Sequence, residues 1–186
     1  EPEVRSTASF ELARLVPAHS LEHNTRLLGD GSAAVRKSAL QSLAMTQDQR
    51  SVAAIERLLD DEDDSVRERA VWSLGSLQSA LSADLIAGQL TDPHHLVRGR
   101  AAEVLGHLGA TQHAEAVGAL LIAEDAVVRR YATRAIGLIG DQRFIEILRR
   151  LLDDADFQVR DHAETSIRQL EAKRKKLPDG ARPAGS

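Results

Sequence analysis

Residues 66–75 read Val-Arg-Glu-Arg-Ala-Val-Trp-Ser-Leu-Gly, and their skeleton returns along the whole chain. The pair Val-Arg stands at Val35-Arg36, Val66-Arg67, Val97-Arg98, Val128-Arg129 and Val159-Arg160, each 31 residues from the last. In the same register run Ala39, Ala70, Ala101, Ala132 and Ala163, followed by Leu43, Leu74, Leu105, Ile136 and Ile167. Upstream lie Leu28, Leu59, Leu90, Leu121 and Leu152, preceded by Asn24, Ile55, Ile86, Val117 and Leu148. A fixed period of this length without insertions marks a repeat architecture, in which each unit covers a face that its neighbour cannot bury alone.

Within one unit, Val66, Ala70, Leu74 and Leu77 fall on one helical stripe, and Val52, Ile55, Leu58 and Leu59 on another. Each unit therefore predicts two antiparallel helices, A and B. Asp30, Asp61, Asp92 and Asp154 precede helix B, where a carboxylate would cap its first amides, and Pro93 would then take the first helical position. The fourth unit has Ala123 instead, followed by Glu124 and Asp125. Gly109 and Gly140 suit the left-handed residue that ends helix B. Gly75, Gly106 and Gly137 lie in or near the end of helix B despite a cost of about 1 kcal/mol each, which points to close approach of adjacent B helices. At the same register the end units carry Ala44 and Arg168, as terminal units with an outer face would.

Composition agrees with a helical reading: 42% of the 186 residues are hydrophobic but only 3% are aromatic, a balance suited to close-packed Ala/Leu helices. The predicted fold is all-α, a right-handed superhelical solenoid of five two-helix units over residues 18–172. Residues 1–17 form an N-terminal segment with a capping helix, its amphipathic stretch 9–16 stopped by Pro17. Residues 173–186 form a basic helix end and then, from Pro178, a tail without structure. No apolar stretch approaches the roughly 20 residues of a membrane span. The expected chain is soluble; starting at Glu1, it is either a processed form, cytoplasmic or exported after losing a targeting segment, or a piece of something longer.

The pattern Leu-x-Asp…Val-Arg-x-x-Ala-x-x-x-Leu-Gly resembles the short HEAT-like repeats first associated with phycobilisome lyases, and the resemblance spans residues 18–172. It implies an α-α solenoid and, in most members, a scaffold that binds other proteins. It also implies two alternatives, a bilin-lyase-like subunit and a HEAT-like DNA-binding protein.

The chemistry carried by single residue types is sparse. With no cysteine, disulfides, thiolate metal sites and cysteine nucleophiles are excluded. The repeated arginines from Arg36 to Arg160 share a register with Asp61, Asp63, Asp125, Asp154 and Asp156, which predicts an inter-repeat ion-pair ladder rather than a phosphate site. A di-iron hydroxylase family is also built from HEAT-like repeats with His-Glu pairs, yet the seven histidines here form no such dipeptide. His113 and Glu115, like His162 and Glu164, are two apart and diverge on a helix. His19 and His23 lack a third ligand. No cofactor or metal is expected, and scattered serines give no nucleophile elbow. The basic run 173–176 complements the dipole of the last helix.

What remains are the helix B positions that neither pack nor cap. Across the repeats they are Arg69 and Trp72; His95, Leu96, Arg100, Glu103 and His107; Arg130, Tyr131 and Arg134; then Phe157 and His162. They hold the chain's one Trp and one Tyr, and Trp, Tyr and Arg are the residues that most often anchor interfaces. The competing reading is that the rings fill gaps between B helices. These columns predict a concave, locally basic ridge for another protein with acidic and hydrophobic anchors. A net charge of −4, with Glu68, Glu103 and Asp161 on the ridge, disfavours nucleic acid.

Overall fold

The 31-residue period becomes a stack of helices in the computed structural model, which describes residues 1–176; of residues 17–19, 80, 175 and 176 it describes the backbone alone. The expected tail lies outside the described residues. Helices α1 (Pro2–Leu15), α3 (Ala33–Thr46), α5 (Asp64–Ser76), α7 (His95–His107), α9 (Ala126–Ile139) and α11 (Phe157–Lys176) pack side by side in chain order and are the B helices. Between them run the A helices α2 (Pro17–Leu27), α4 (Val52–Glu56), α6 (Ala83–Gly88), α8 (Ala114–Ala119) and α10 (Ile145–Arg150). Among the described residues there is no strand, and the architecture is a right-handed α-α solenoid.

The A helices from α4 onward are shorter than the sequence stripe suggests. Around α4 the chain adds 3₁₀ turns at Gln49–Ser51 and Arg57–Asp60. A 3₁₀ turn rises about 2 Å per residue against about 1.5 Å for an α-helix, so the segment still spans the roughly 20 Å of its B partner. Ile55, Leu58 and Leu59 are thereby buried against helix B.

The valine of each Val-Arg pair from Val35 onward, and the alanine four residues after it, are fully buried. Between B helices the small residues act as the sequence implies. A Cβ on Gly75 would lie 2.7 Å from Val104 Cγ2, and one on Gly106 would lie 2.7 Å from the Cα of Ala135. The left-handed position after helix B is filled by Gln47, Gln78, Gly109 and Gly140, with φ of 54°, 52°, 63° and 87°. Only the last two are glycines; the glutamines carry the strain of the same turn.

The N-terminal capping helix reaches further than residues 9–16. Val4 and Arg5 stand 31 residues before Val35 and Arg36, so α1 is a B helix by register. Val16, at φ −139° and ψ 66°, ends it outside the helical region that a following proline disfavours.

The predicted ladder forms in part: Asp61 and Asp154 pair with its arginines, whereas among the described residues Asp63, Asp125 and Asp156 do not. Arg5 forks onto Asp30 at 2.6 and 2.8 Å, Arg67 onto Asp92 at 2.7 and 3.0 Å, and Arg129 onto Asp154 at 2.8 and 2.9 Å. Arg36 Nη2 donates to Asp61 at 2.7 Å. Each of Arg36, Arg67, Arg98, Arg129 and Arg160 also donates Nη1 to carbonyls of its own A–B loop at 2.7–2.9 Å.

This geometry corrects the expected caps. Asp30, Asp61, Asp92 and Asp154 do not cap helix B. Each turns toward the arginine of the preceding unit and accepts the amide two residues on, from Ser32, Asp63, His94 and Asp156, at 2.7–2.9 Å. The capping carboxylates are Asp63, Asp125 and Asp156, two residues later, whose Oδ1 accepts the amides of Ser65 and Val66, of Val127 and Val128, and of Gln158 and Val159. Pro93 accordingly lies before α7, not at its first position, and its carbonyl accepts from Arg98 at 2.9 Å.

The ladder fixes an acid limit. The Arg5 fork and the Ser32 amide hold Asp30 at a pKa of about 2. Arg129 lowers Asp154. For Asp92, burial pushes the pKa up, but Arg67 and the His94 amide outweigh it and the net shift is downward. Depressed carboxylates stabilise the fold above their unfolded pKa of about 3.9, and the contribution is lost as pH falls through the folded value. The melting temperature is therefore expected to hold from pH 7 to about 5 and to fall steeply between about pH 4 and 2. Thermal melts across that range check this, and a flat profile down to pH 2 would contradict the ladder.

Candidate binding surface on the B helices

The predicted ridge residues resolve into two columns and an edge. Arg69, Arg100, Tyr131 and His162 form one column, on α5, α7, α9 and α11, at 31-residue spacing; Trp72, Glu103 and Arg134 form the second, three residues on. The guanidinium of Arg69 sits 5.2 Å from the centroid of the half-buried Trp72 ring. Arg100 donates Nε to Glu68 at 2.6 Å and Nη1 to Glu103 at 2.5 Å, and lies 5.9 Å over Tyr131. Arg134 crosses from α9 to Glu103 at 3.0 Å and to His107 at 3.4 Å. Arg130 also lies over Tyr131, at 5.1 Å, and donates to Gln158. His162 Nδ1 is 3.3 Å from the Arg130 carbonyl.

Two expectations change. The ridge is not a free basic strip, because Glu68 and Glu103 answer Arg100, and Glu103 also answers Arg134. Burial acts against the charge of Arg100, and these two carboxylates outweigh it, leaving its pKa raised. Tyr131 does fill a gap between B helices: a Cβ on Gly99 would lie 2.7 Å from its Cδ2.

The remaining residues lie elsewhere. His95 and Phe157 open α7 and α11, and Leu96 is next in line, so all three sit at the A–B loop edge, about 10–12 Å along the helix axis from the Trp72 column. His95 faces His94 at 4.7 Å between ring centroids, and Phe157 is 69% exposed beside Arg160.

Between α9 and α11 a groove of about 340 Å³ opens, lined by Arg134, Leu138, Asp161, His162, Thr165, Ser166 and Gln169. The residue that would close it stands in the Trp72, Glu103, Arg134 column and is Thr165. Arg134 bridges the preceding gap; a threonine is too short to bridge this one. Sequence reasoning named Arg134 and His162 and placed Asp161 on the ridge, but missed Leu138, Thr165, Ser166 and Gln169. The step down in size at Thr165 was the available signal. For a metal the surface offers little: among the described residues no three His, Asp or Glu side chains converge, and His113 meets Asp84 alone at 2.8 Å.

With this geometry, the repeat unit has a family. Matches to HEAT repeats cover residues 1–75, 21–106 and 82–168, and the chain belongs to the HEAT repeat family. Its fold is similar to an engineered protein (TM-score 0.69, 20% identity, 92% of each chain). It is similar also to the complex of CpcE and CpcF of phycocyanin lyase from Nostoc sp. PCC7120 (TM-score 0.68, 18% identity, 96% of this chain and 85% of that one). A designed armadillo repeat protein in complex with the peptide (KR)4 matches at TM-score 0.68 and 18% identity over 91% of each chain. At such identities the likeness is one of fold. No curated protein matches the chain. Among the described residues no helix is long and apolar enough to cross a membrane.

Proposed function

We propose that the chain is a non-enzymatic interaction module that holds a segment of a partner protein along its B helices, from Trp72 on α5 to the groove between α9 and α11. The observation that carries this reading is the open groove, which continues a surface of stacked rings and guanidinium groups. B helices approach one another more closely than A helices do, which supports placing them on the inner, concave side. Since the central charges are already matched, the partner's grip comes from apolar side chains on Trp72 and over Leu138. Arg134 and Asp161 flank the groove with one charge of each sign, which suits a mixed-charge segment rather than a purely acidic one. The same balance weighs against a nucleic-acid duplex. An extended peptide is what the designed armadillo protein holds in its complex.

Trp72→Ala combined with Thr165→Trp removes one anchor and fills the groove. Aromatic anchors often contribute about 2 kcal/mol or more, so partner binding is expected to weaken more than tenfold with helicity unchanged. Glu146→Ala, on α10 and paired with Arg149 alone among the described residues, is the control. Titration of the partner recovered by affinity capture reads both; loss with the control and not with the ridge pair would move the site to the A helices. The fold shared with phycocyanin lyase subunits favours one second reading, a bilin-handling subunit, and a tetrapyrrole absorbance titration tests it directly.

A further inference from the structure

The Arg-Asp ladder has one internal gap. Each rung from Arg36 onward uses Nη1 on the carbonyls of its own loop and turns its other edge to the aspartate 25 residues on. Arg98 keeps the first half, with Nη1 at 2.8 Å from the Asp92 carbonyl and 2.9 Å from that of Pro93. The acceptor position is Ala123, and among the described residues no carboxylate pairs with Arg98. Neighbouring acids do not substitute. Asp125 is occupied as the cap of α9, and the exposed side chain of Glu124 makes no pair with Arg98 among the described residues.

A second donor is free at the same place. In the other loops the amide two residues after the aspartate donates to its carboxylate, as His94 and Asp156 do at 2.7 and 2.8 Å. In the fourth loop that amide belongs to Asp125, and with Ala123 in front of it no acceptor is present among the described residues. The fork edge of Arg98 and the Asp125 amide are therefore held in the arrangement that grips a carboxylate in the flanking rungs. Beside them the surface is apolar: Ile122, next to Ala123, is 74% exposed, and Leu96 at the start of α7 is exposed too.

We propose that this loop edge, between the third and fourth repeats, is a docking site for an aspartate or glutamate of a partner protein, followed or preceded by an apolar side chain that rests on Ile122. The incoming carboxylate takes the place that Asp92 and Asp154 hold in their own rungs, accepting from Arg98 Nε and Nη2 and from the Asp125 amide. Two loop carbonyls already fix the guanidinium, so little ordering is left to the binding step. Charge complementarity selects the partner's chemistry, since a planar two-pronged donor with an amide alongside matches a carboxylate. The inference is independent of the B-helix groove.

The test uses the full chain and the peptide acetyl-Leu-Leu-Asp-Asp-Ala-Asp-amide, which copies residues 151–156. In a ¹⁵N NMR titration, the Arg98 Nε–H and Asp125 N–H resonances are expected to shift together and saturably. Ala123→Asp is expected to weaken peptide binding at least tenfold while raising the melting temperature by roughly 2–4 °C, because it builds the missing rung. Arg98→Ala should lose binding as well. Inert resonances, unchanged binding to Ala123→Asp, or equal binding of a peptide with asparagine for each aspartate would overturn the proposal. So would inorganic phosphate that competes at equal concentration, since the site would then be a general anion site.

Discussion

Gly106→Val is expected to split the unfolding of the solenoid into two transitions. The Cβ position on Gly106 lies 2.7 Å from the Cα and 2.9 Å from the Cβ of Ala135, so the obstacle is the backbone of α9 itself. At Gly75 the nearest atoms are the side-chain tips of Val104, and at Gly137 they are Ser166 Oγ and Cβ, which have more room to yield. Overpacking costs about 1–3 kcal/mol where side chains can adjust, and more where a helix must move. In a linear array that loss falls on one interface, here between α7 and α9, and cooperativity across it fails first. Urea unfolding followed by hydrogen exchange is expected to show residues 126–176 losing protection before residues 33–107. A single transition with the wild-type midpoint would mean that the two helices are not in this contact. Gly75→Ala should be milder and leave one transition.

How much of this was legible follows from what a period can carry. Val35 and its four counterparts recur because the same inter-helix pocket recurs, and that alone fixes the solenoid. The ladder was legible for the same reason, since Arg67 and Asp92 each repeat. Which carboxylate caps was not: the loops read Asp61-Glu62-Asp63 and Asp154-Ala155-Asp156, with two carboxylates in reach of helix B. Only the placement of the preceding unit turns the first toward an arginine and leaves the second to cap. Helix α1 carries Val4, Arg5, Ala8 and Leu12 in register, a match hidden by starting the helix at residue 9. On the candidate surface, Trp72 and Arg134 were named from their columns, but the link from Glu68 through Arg100 and Glu103 to Arg134 crosses three helices. It exists only once they stand side by side. The groove was harder still, because it is made by what Thr165 fails to fill.

Asp92→Ala is expected to cost about 2–3 kcal/mol, because it removes the least exposed carboxylate of the ladder. The Asp92 side chain is 5% exposed and that of Arg67 14%, with two hydrogen bonds between them and a third from the His94 amide. Removing one member of a buried pair typically costs about 3–5 kcal/mol, since the other charge is left without a partner. The figure here is lower because Arg67 keeps the Asp61 carbonyl at 2.9 Å and some access to water. For a chain of this size the melting temperature should drop by roughly 4–12 °C. Asp92→Asn, which keeps an acceptor for the His94 amide, should fall between the variant and the wild type. Replacing both partners by leucine should recover much of the loss, because the stranded charge goes with its partner. The protein already lives with the equivalent of Asp92→Ala at Ala123, where Arg98 retains two loop carbonyls and stands half-exposed to water. If Asp92→Ala melts with the wild type, the ladder contributes no net stability, and the buried Val, Ala and Leu columns hold the repeats in register alone.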